Sequence, residues 1–155
     1  MHNQFEQFRP RILHMLRGEI GDSAFHQVVR AYYQQYKGGN AETKDLQKIA
    51  EKISGKELKW FFNQWLHQPG IPKIKFTWKF NAGKLNIKVE QKSDNKFSFP
   101  LEIAIIDAAG KQTIQKIAVT PTAMNFDLQV NMRPSKIILD PNTALLFEGT
   151  VSEVR

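Results

Sequence analysis

Apolar residues recur at helical spacing up to about position 70 and alternate with polar ones from there on. The change falls at Leu58-Lys-Trp-Phe-Phe-Asn-Gln-Trp-Leu-His-Gln-Pro-Gly-Ile-Pro72. Within it Leu58, Phe61, Phe62, Trp65 and Leu66 form one broad helical stripe. Pro69-Gly-Ile-Pro72 then stops the helix, because proline breaks the bond ladder and glycine accepts a left-handed cap. The stretch reads as a plug joining two structural units. Three more helices are predicted before it. Phe5, Phe8, Ile12, Met15 and Leu16 define the first, with its firm part from about Pro10 to Gly18, since proline is best tolerated in a first turn. Asp22 or Ser23 caps the second, whose stripe is Phe25, Val28, Val29, Tyr32 and Tyr36 and whose stop is Gly38-Gly39. Thr43 caps the third, which carries Leu46, Ile49, Ala50 and Ile53 and ends at Gly55.

From Ile71 the period is two. Ile74, Phe76, Trp78 and Phe80 alternate with Lys75, Thr77 and Lys79. Ala82-Gly83 turns the chain, and Leu85, Ile87 and Val89 alternate on the way back, which predicts a hairpin. A polar loop over 91–96 follows. Further strands are predicted at Phe99–Asp107, Thr113–Val119, Met124–Val130, Lys136–Leu139 and Leu145–Glu148. The fold class is therefore α+β: a short N-terminal bundle of about four helices over 1–70, then an antiparallel β-sandwich of about seven strands over 71–155.

Composition narrows the picture only slightly. The 155 residues are 41% hydrophobic and 24% charged, as expected of a folded chain. With no cysteine, disulfides and thiolate metal sites are excluded. No apolar run approaches the roughly 20 residues of a membrane span. The N-terminal Met1-His-Asn-Gln-Phe-Glu6 lacks the basic and then apolar regions of a signal peptide. Localisation stays open. The net charge of +7 is spread over the chain, with ten basic against seven acidic residues up to position 70 and twelve against eight beyond it. The one partial stripe is Lys73, Lys75, Lys79, Lys84 and Lys88. It reads as a solvated strand face on which lysine also discourages edge pairing. With few aromatics between the lysines, nucleic acid is not an expected partner. Trp60 and Tyr33 fall off the main stripes, either as half-buried surface aromatics or as contacts for a partner or a missing part of the same polypeptide.

The search for catalytic chemistry yields no site residues: catalytic none, metal none, substrate-binding residues unknown. Among His2, His14, His26 and His67, no pair has the four-residue spacing that aims two imidazoles at one zinc ion. His14 reads as a core or rim residue of the first helix, and His67 as a cation at a helix end. Ser23 and Thr43 are accounted for as caps. Glu19 with Asp22, and Asp140 with Glu148, are the carboxylate pairs weighed for acid–base work, and both fall at turns and strand ends. Gly38-Gly39 is a lone pair and no phosphate loop.

The order of segments resembles the aminopeptidase N (membrane alanyl aminopeptidase) family of zinc metallopeptidases. Leu13-His-Met-Leu-Arg17, Gly21-Asp-Ser-Ala-Phe25, Tyr32-Tyr33, Gly39-Asn-Ala-Glu-Thr43 and Ile53-Ser-Gly55 carry the resemblance. Its most specific element is Trp60-Phe-Phe-Asn-Gln-Trp-Leu66 with Pro69-Gly-Ile-Pro72. Phe99-Pro-Leu-Glu-Ile-Ala104 and Ile138-Leu-Asp-Pro141 are similar to the family's β-sandwich domain. The family's His-Glu-x-x-His motif and its Gly-x-Met-x-Asn stretch are absent, and Ala123-Met-Asn125 echoes the latter only superficially. Aligned on Leu13–Arg17, the family's catalytic tyrosine falls at Glu6 and a following glycine at Arg9, so no catalytic residue carries over.

The resemblance implies the non-catalytic C-terminal portion of a zinc aminopeptidase. Such a piece supports the catalytic helices and shapes the substrate space, while the parent hydrolyses N-terminal residues from peptides. This chain alone is then inactive and holds no cofactor, with zinc in the full-length parent. Its partners are the missing N-terminal catalytic region and, for the parent, peptide substrate; exposed helix faces also allow a homodimer. The alternative is a free-standing helix–sandwich interaction module whose basic strand face holds an acidic partner.

Overall fold

A computed structural model describes residues 2–155, with side chains from Pro10 onward. The chain divides into two compact units, one ending at Pro69 and one spanning Gly70–Arg155. The first holds α1 (His2–Ile20), α2 (Asp22–Tyr36), α3 (Thr43–Ser54) and α4 (Lys59–Phe62). No helix among the described residues is long and apolar enough to cross a membrane.

Helix α1 departs from expectation at both ends. It starts before Pro10, which lies inside it, and it continues past Gly18. A helical glycine costs only about 1 kcal/mol relative to alanine, so Gly18 is no stop by itself. The break is Gly21, held at φ +88° with its N–H on the Arg17 carbonyl at 2.8 Å. Ile12, Met15, Leu16 and Ile20 are buried. Phe5 and Phe8, predicted on the same stripe, lie outside the described side chains, as do His2, Glu6 and Arg9.

The predicted caps shift by one residue. Gly21 is the N-cap of α2, and Asp22 is its first helical residue. Glu42, not Thr43, caps α3: its N–H donates to Asp45 Oδ2 at 2.9 Å while the Asp45 N–H reaches the Glu42 carbonyl at 3.0 Å. Asp45 in the first turn also complements the helix dipole. Gly55 ends α3 in the left-handed conformation, as predicted. In the Trp-rich stretch α4 is regular only to Phe62, and Asn63–His67 then widens into a π turn closed by the Gln68 N–H on the Asn63 carbonyl at 2.9 Å. Leu58, Phe61, Phe62 and Trp65 are buried, while Leu66 is only half-buried.

The second unit holds seven strands: β1 (Lys73–Asn81), β2 (Lys84–Gln91), β3 (Phe99–Asp107), β4 (Gln112–Val119), β5 (Met124–Gln129), β6 (Pro134–Leu139) and β7 (Glu148–Glu153). They form a four-stranded sheet, β5-β2-β1-β7, and a three-stranded sheet, β4-β3-β6. Alternation places Ile74, Phe76, Trp78, Leu85, Ile87 and Val89 on the buried face of the first, and Phe99, Leu101, Ile103, Ile105, Ile117 and Val119 on that of the second. The β1–β2 turn puts Ala82 at φ +49° and Gly83 at φ +80°. Two consecutive positive φ values match the strand twist of a two-residue hairpin.

Two strand expectations fail. The sandwich is not wholly antiparallel, because β7 runs parallel to β1, with Lys73 opposite Glu148 and Phe76 opposite Val151. The last strand also begins at Glu148 rather than ending there. Residues 144 and 145 are claimed locally: their N–H groups donate to the Asp140 carboxylate at 2.9 and 2.8 Å, so they need no neighbouring strand. The lysine stripe is no edge guard either, since β1 and β2 are interior strands and the edges of that sheet are β5 and β7.

Candidate functional site

The helical unit carries an open, mainly apolar cleft of about 310 Å³. Ile12, Leu13 and Leu16 of α1 form one wall, with Tyr32 of α2 and Leu46 of α3 opposite and Phe62 and Leu66 from the Trp-rich stretch beside them. Glu42 and Thr43 bring polar groups to the rim. The π turn shifts Leu66 off the regular α4 stripe, where it joins the cleft lining. The cleft was not predicted. Its one sequence signal is Leu13, an apolar residue beside the main α1 stripe.

Among the described residues of this unit, three large aromatic or apolar side chains face outward. Tyr33 is 64% exposed, Val29 47% and Trp60 44%. Val29 and Tyr33 stand one turn apart on α2, so they share a face. Lys37 Nζ lies 5.9 Å from the Tyr33 ring centre. The stripe assignment of Val29 therefore fails: α2 buries Val28 and leaves Val29 out.

The titratable candidates do not assemble into a catalytic group. His14, His26 and His67 are exposed, so of the core or rim reading of His14 the core alternative fails. Among the described residues, no group of three His, Cys, Asp or Glu side chains stands close enough to hold a metal ion. The described residues thus offer no zinc ligand set. Asp22 Oδ1 accepts from Arg17 Nε at 2.7 Å. That charge-assisted bond, followed by the Arg17 charge itself, holds Asp22 below the usual carboxylate range. Glu19, weighed with it for acid–base work, contributes instead its backbone carbonyl, which takes Lys56 Nζ at 2.5 Å. Asp140 is buried and spends both oxygens on backbone N–H groups, while Glu148 faces Lys73 at 3.9 Å. Ser23 is exposed and meets Gln27 Nε2 at 3.5 Å, the limit of a bond.

In the β unit a second cleft, about 270 Å³, lies between the ends of β3, β4 and β5. It is lined equally by polar and apolar groups and brings Asp107 and Lys111 together with Met132. Asp107 Oδ1 is occupied by the N–H groups of Ala109 and Lys111, both at 2.9 Å. That oxygen of Asp107 thus serves the turn between β3 and β4.

The described side chains of the helical unit form a cleft and an exposed aromatic face. Comparison with known proteins relates this unit to a peptidase family. The helical unit matches the peptidase family M1 domain over residues 10–65. It is 38% identical to aminopeptidase N of Lactococcus lactis subsp. lactis over 64 residues, which is 41% of this chain and 8% of that protein. A longer match, 26% over 107 residues, is to the Tricorn protease-interacting factor F2 of Thermoplasma acidophilum and covers 66% of this chain and 13% of that protein. The fold is similar to that of Legionella pneumophila aminopeptidase A, solved in complex with aspartic acid, with a TM-score of 0.75 and 20% identity over 91% of this chain and 17% of that one. The chain thus resembles the aminopeptidase N family of metallopeptidases, as its motifs imply, and spans less than a fifth of the length of each of these relatives.

Proposed function

We propose that this chain is the non-catalytic C-terminal portion of a zinc-dependent aminopeptidase. The parent removes N-terminal residues from peptides, and its zinc and catalytic residues belong to a preceding region. The observation that carries the reading is the family match over residues 10–65, which falls on helices that lack a ligand set among the described residues yet leave a cleft open and Tyr33, Val29 and Trp60 exposed. Apolar surface of this kind marks an interaction site. The helices buttress the catalytic region, and the sandwich limits the space in which a peptide lies.

The test is the reading frame upstream of this sequence together with a reconstitution. An in-frame domain with a His-Glu-x-x-His motif supports the proposal, and a co-expressed pair should bind and release N-terminal residues. A stop codon directly upstream, with no separate gene product that binds the chain, sinks it. The chain alone, purified free of metal and dialysed, should carry no stoichiometric zinc. In the absence of the catalytic region, self-association through the exposed helix faces is the expected alternative, seen as a homodimer by light scattering.

A further inference from the structure

The two faces of the sheet β5-β2-β1-β7 differ completely. Along β1 and β2 one is apolar and mostly buried; the other carries no aromatic or large aliphatic side chain on any of the four strands. Antiparallel register fixes the outer face residue by residue: Lys75 opposite Glu90, Thr77 opposite Lys88, Lys79 opposite Asn86 and Asn81 opposite Lys84. Lys73 and Lys92 complete six exposed lysines. Three carboxylates share the face, and each is engaged. Glu90 lies between Lys88 at 3.2 Å and Lys92 at 3.7 Å, Glu148 lies 3.9 Å from Lys73, and Asp127 takes the Asn86 amide at 2.6 Å. Lys75, Lys79 and Lys84 remain without a carboxylate within 4.0 Å among the described residues.

We infer that this outer face docks an extended acidic polypeptide segment along the line Lys75–Lys79–Lys84. Charge complementarity selects the sign, because the face has twice as many lysines as carboxylates. Its lysines stand open to solvent, with no enclosure for a small anion. The lack of an aromatic side chain removes the platform on which nucleic-acid bases stack. Spacing favours an extended chain: Lys75 and Lys79 are four residues apart on one strand, about 13 Å at 3.3 Å per residue, the distance at which every second same-face side chain of an extended partner recurs. Thr77, Thr150 and Ser152 lie beside this line and offer hydroxyls to the partner's backbone. The inference does not depend on the peptidase reading.

The experiment uses the full chain and a fluorescent decapeptide of alternating glutamate and serine, read by anisotropy. Binding should appear at about 10 mM salt, where screening extends about 30 Å, and vanish near 1 M, where it extends about 3 Å. The triple substitution Lys75→Gln, Lys79→Gln and Lys84→Gln should weaken it by at least about tenfold. The same number of charges removed from α3, as Lys44→Gln, Lys48→Gln and Lys52→Gln, should change it less than about twofold. All six side chains are exposed, so the variants should melt with the parent chain, and arginine at 75, 79 and 84 should restore binding. No binding at low salt, or equal weakening by both triples, overturns the assignment. A face that prefers duplex RNA to the peptide, with the same residue dependence, assigns it to nucleic acid and overturns it equally.

Discussion

Gln91 holds Phe97 by both of its backbone groups. Its Nε2 donates to the Phe97 carbonyl at 2.6 Å, and its Oε1 accepts the Phe97 N–H at 2.9 Å. The same Nε2 also reaches the Thr120 carbonyl at 2.7 Å. One amide therefore closes the loop over 92–96 and ties it to the segment after β4, with the Phe97 ring buried beneath. Replacement by alanine should destabilise the chain by about 1–3 kcal/mol, the cost of leaving part-buried partners unmet. Gln91→Glu should be no better, since a carboxylate cannot donate to either carbonyl. Urea unfolding measures both, and a Gln91→Ala midpoint equal to the parent's would refute the clasp.

The buried carboxylate of Asp140 is a second local organiser. It accepts the N–H groups of Ala144 and Leu145, and its own N–H donates to the Glu102 carbonyl at 2.8 Å. Its φ is +47°, a conformation Asp tolerates better than most residues. Asp140→Ala strands two donors, so a loss of about 2–4 kcal/mol is expected, with Asp140→Asn in between because an amide oxygen satisfies one of them. Hydrogen exchange at Ala144 and Leu145 should accelerate in the alanine variant well before the sheets unfold. Unchanged protection there would separate the residue from the loop.

These two organisers mark the limit of what the sequence discloses. Helical and strand periods and the glycine stops at Gly55 and Gly83 were legible, because they follow from local backbone preference and from one-sided burial. The partner of β7 was not, since a parallel neighbour 75 residues away leaves no short-range signal. The span 145–148 is apolar enough to read as a strand, yet the carboxylate at position 140 claims the N–H groups at its start. The π turn escaped for a related reason: Trp65 and Leu66 fit a regular helix equally well until packing decides. At the candidate site, the order of residues in Trp60–Leu66 carried the family likeness, whereas the exposure of Val29 and Tyr33 depends on how the helices pack.

The β1–β2 turn leaves room for improvement. Ala82 occupies a left-handed position for which asparagine is suited and alanine is not. Ala82→Asn should stabilise by about 0.5–1 kcal/mol. Thermal melting decides the point, and a lower melting temperature would mean that the turn has another geometry.

Tyr33 and Val29 separate stability from assembly. Both are exposed on one face of α2, so Val29→Ser with Tyr33→Ser should change the stability of the chain alone by less than about 0.5 kcal/mol. If the face meets a catalytic region, the same pair should weaken that association by tenfold or more, because exposed aromatics dominate interface energetics. Titration calorimetry against the upstream domain is the measurement. Unaltered affinity would move the interface elsewhere on the helical unit.

The Arg17–Asp22 pair gives a pH dependence of defined sign. Arg17 bonds Asp22 across the break at Gly21, and the bond lowers the Asp22 pKa. A carboxyl group with a depressed folded-state pKa binds its proton more weakly when folded, so the pair stabilises at pH above the ordinary carboxylate range, near 3.9. That contribution is lost as pH falls through the lower folded-state value. Both side chains are solvent-accessible, so salt should shrink the effect. Asp22→Asn should therefore lower the melting temperature at neutral pH and low salt but make little difference once the parent's carboxyl is protonated. A carbon-detected NMR titration of Asp22 reads the shift directly, and a midpoint at or above that of a model peptide would show that Arg17 does not hold it in solution.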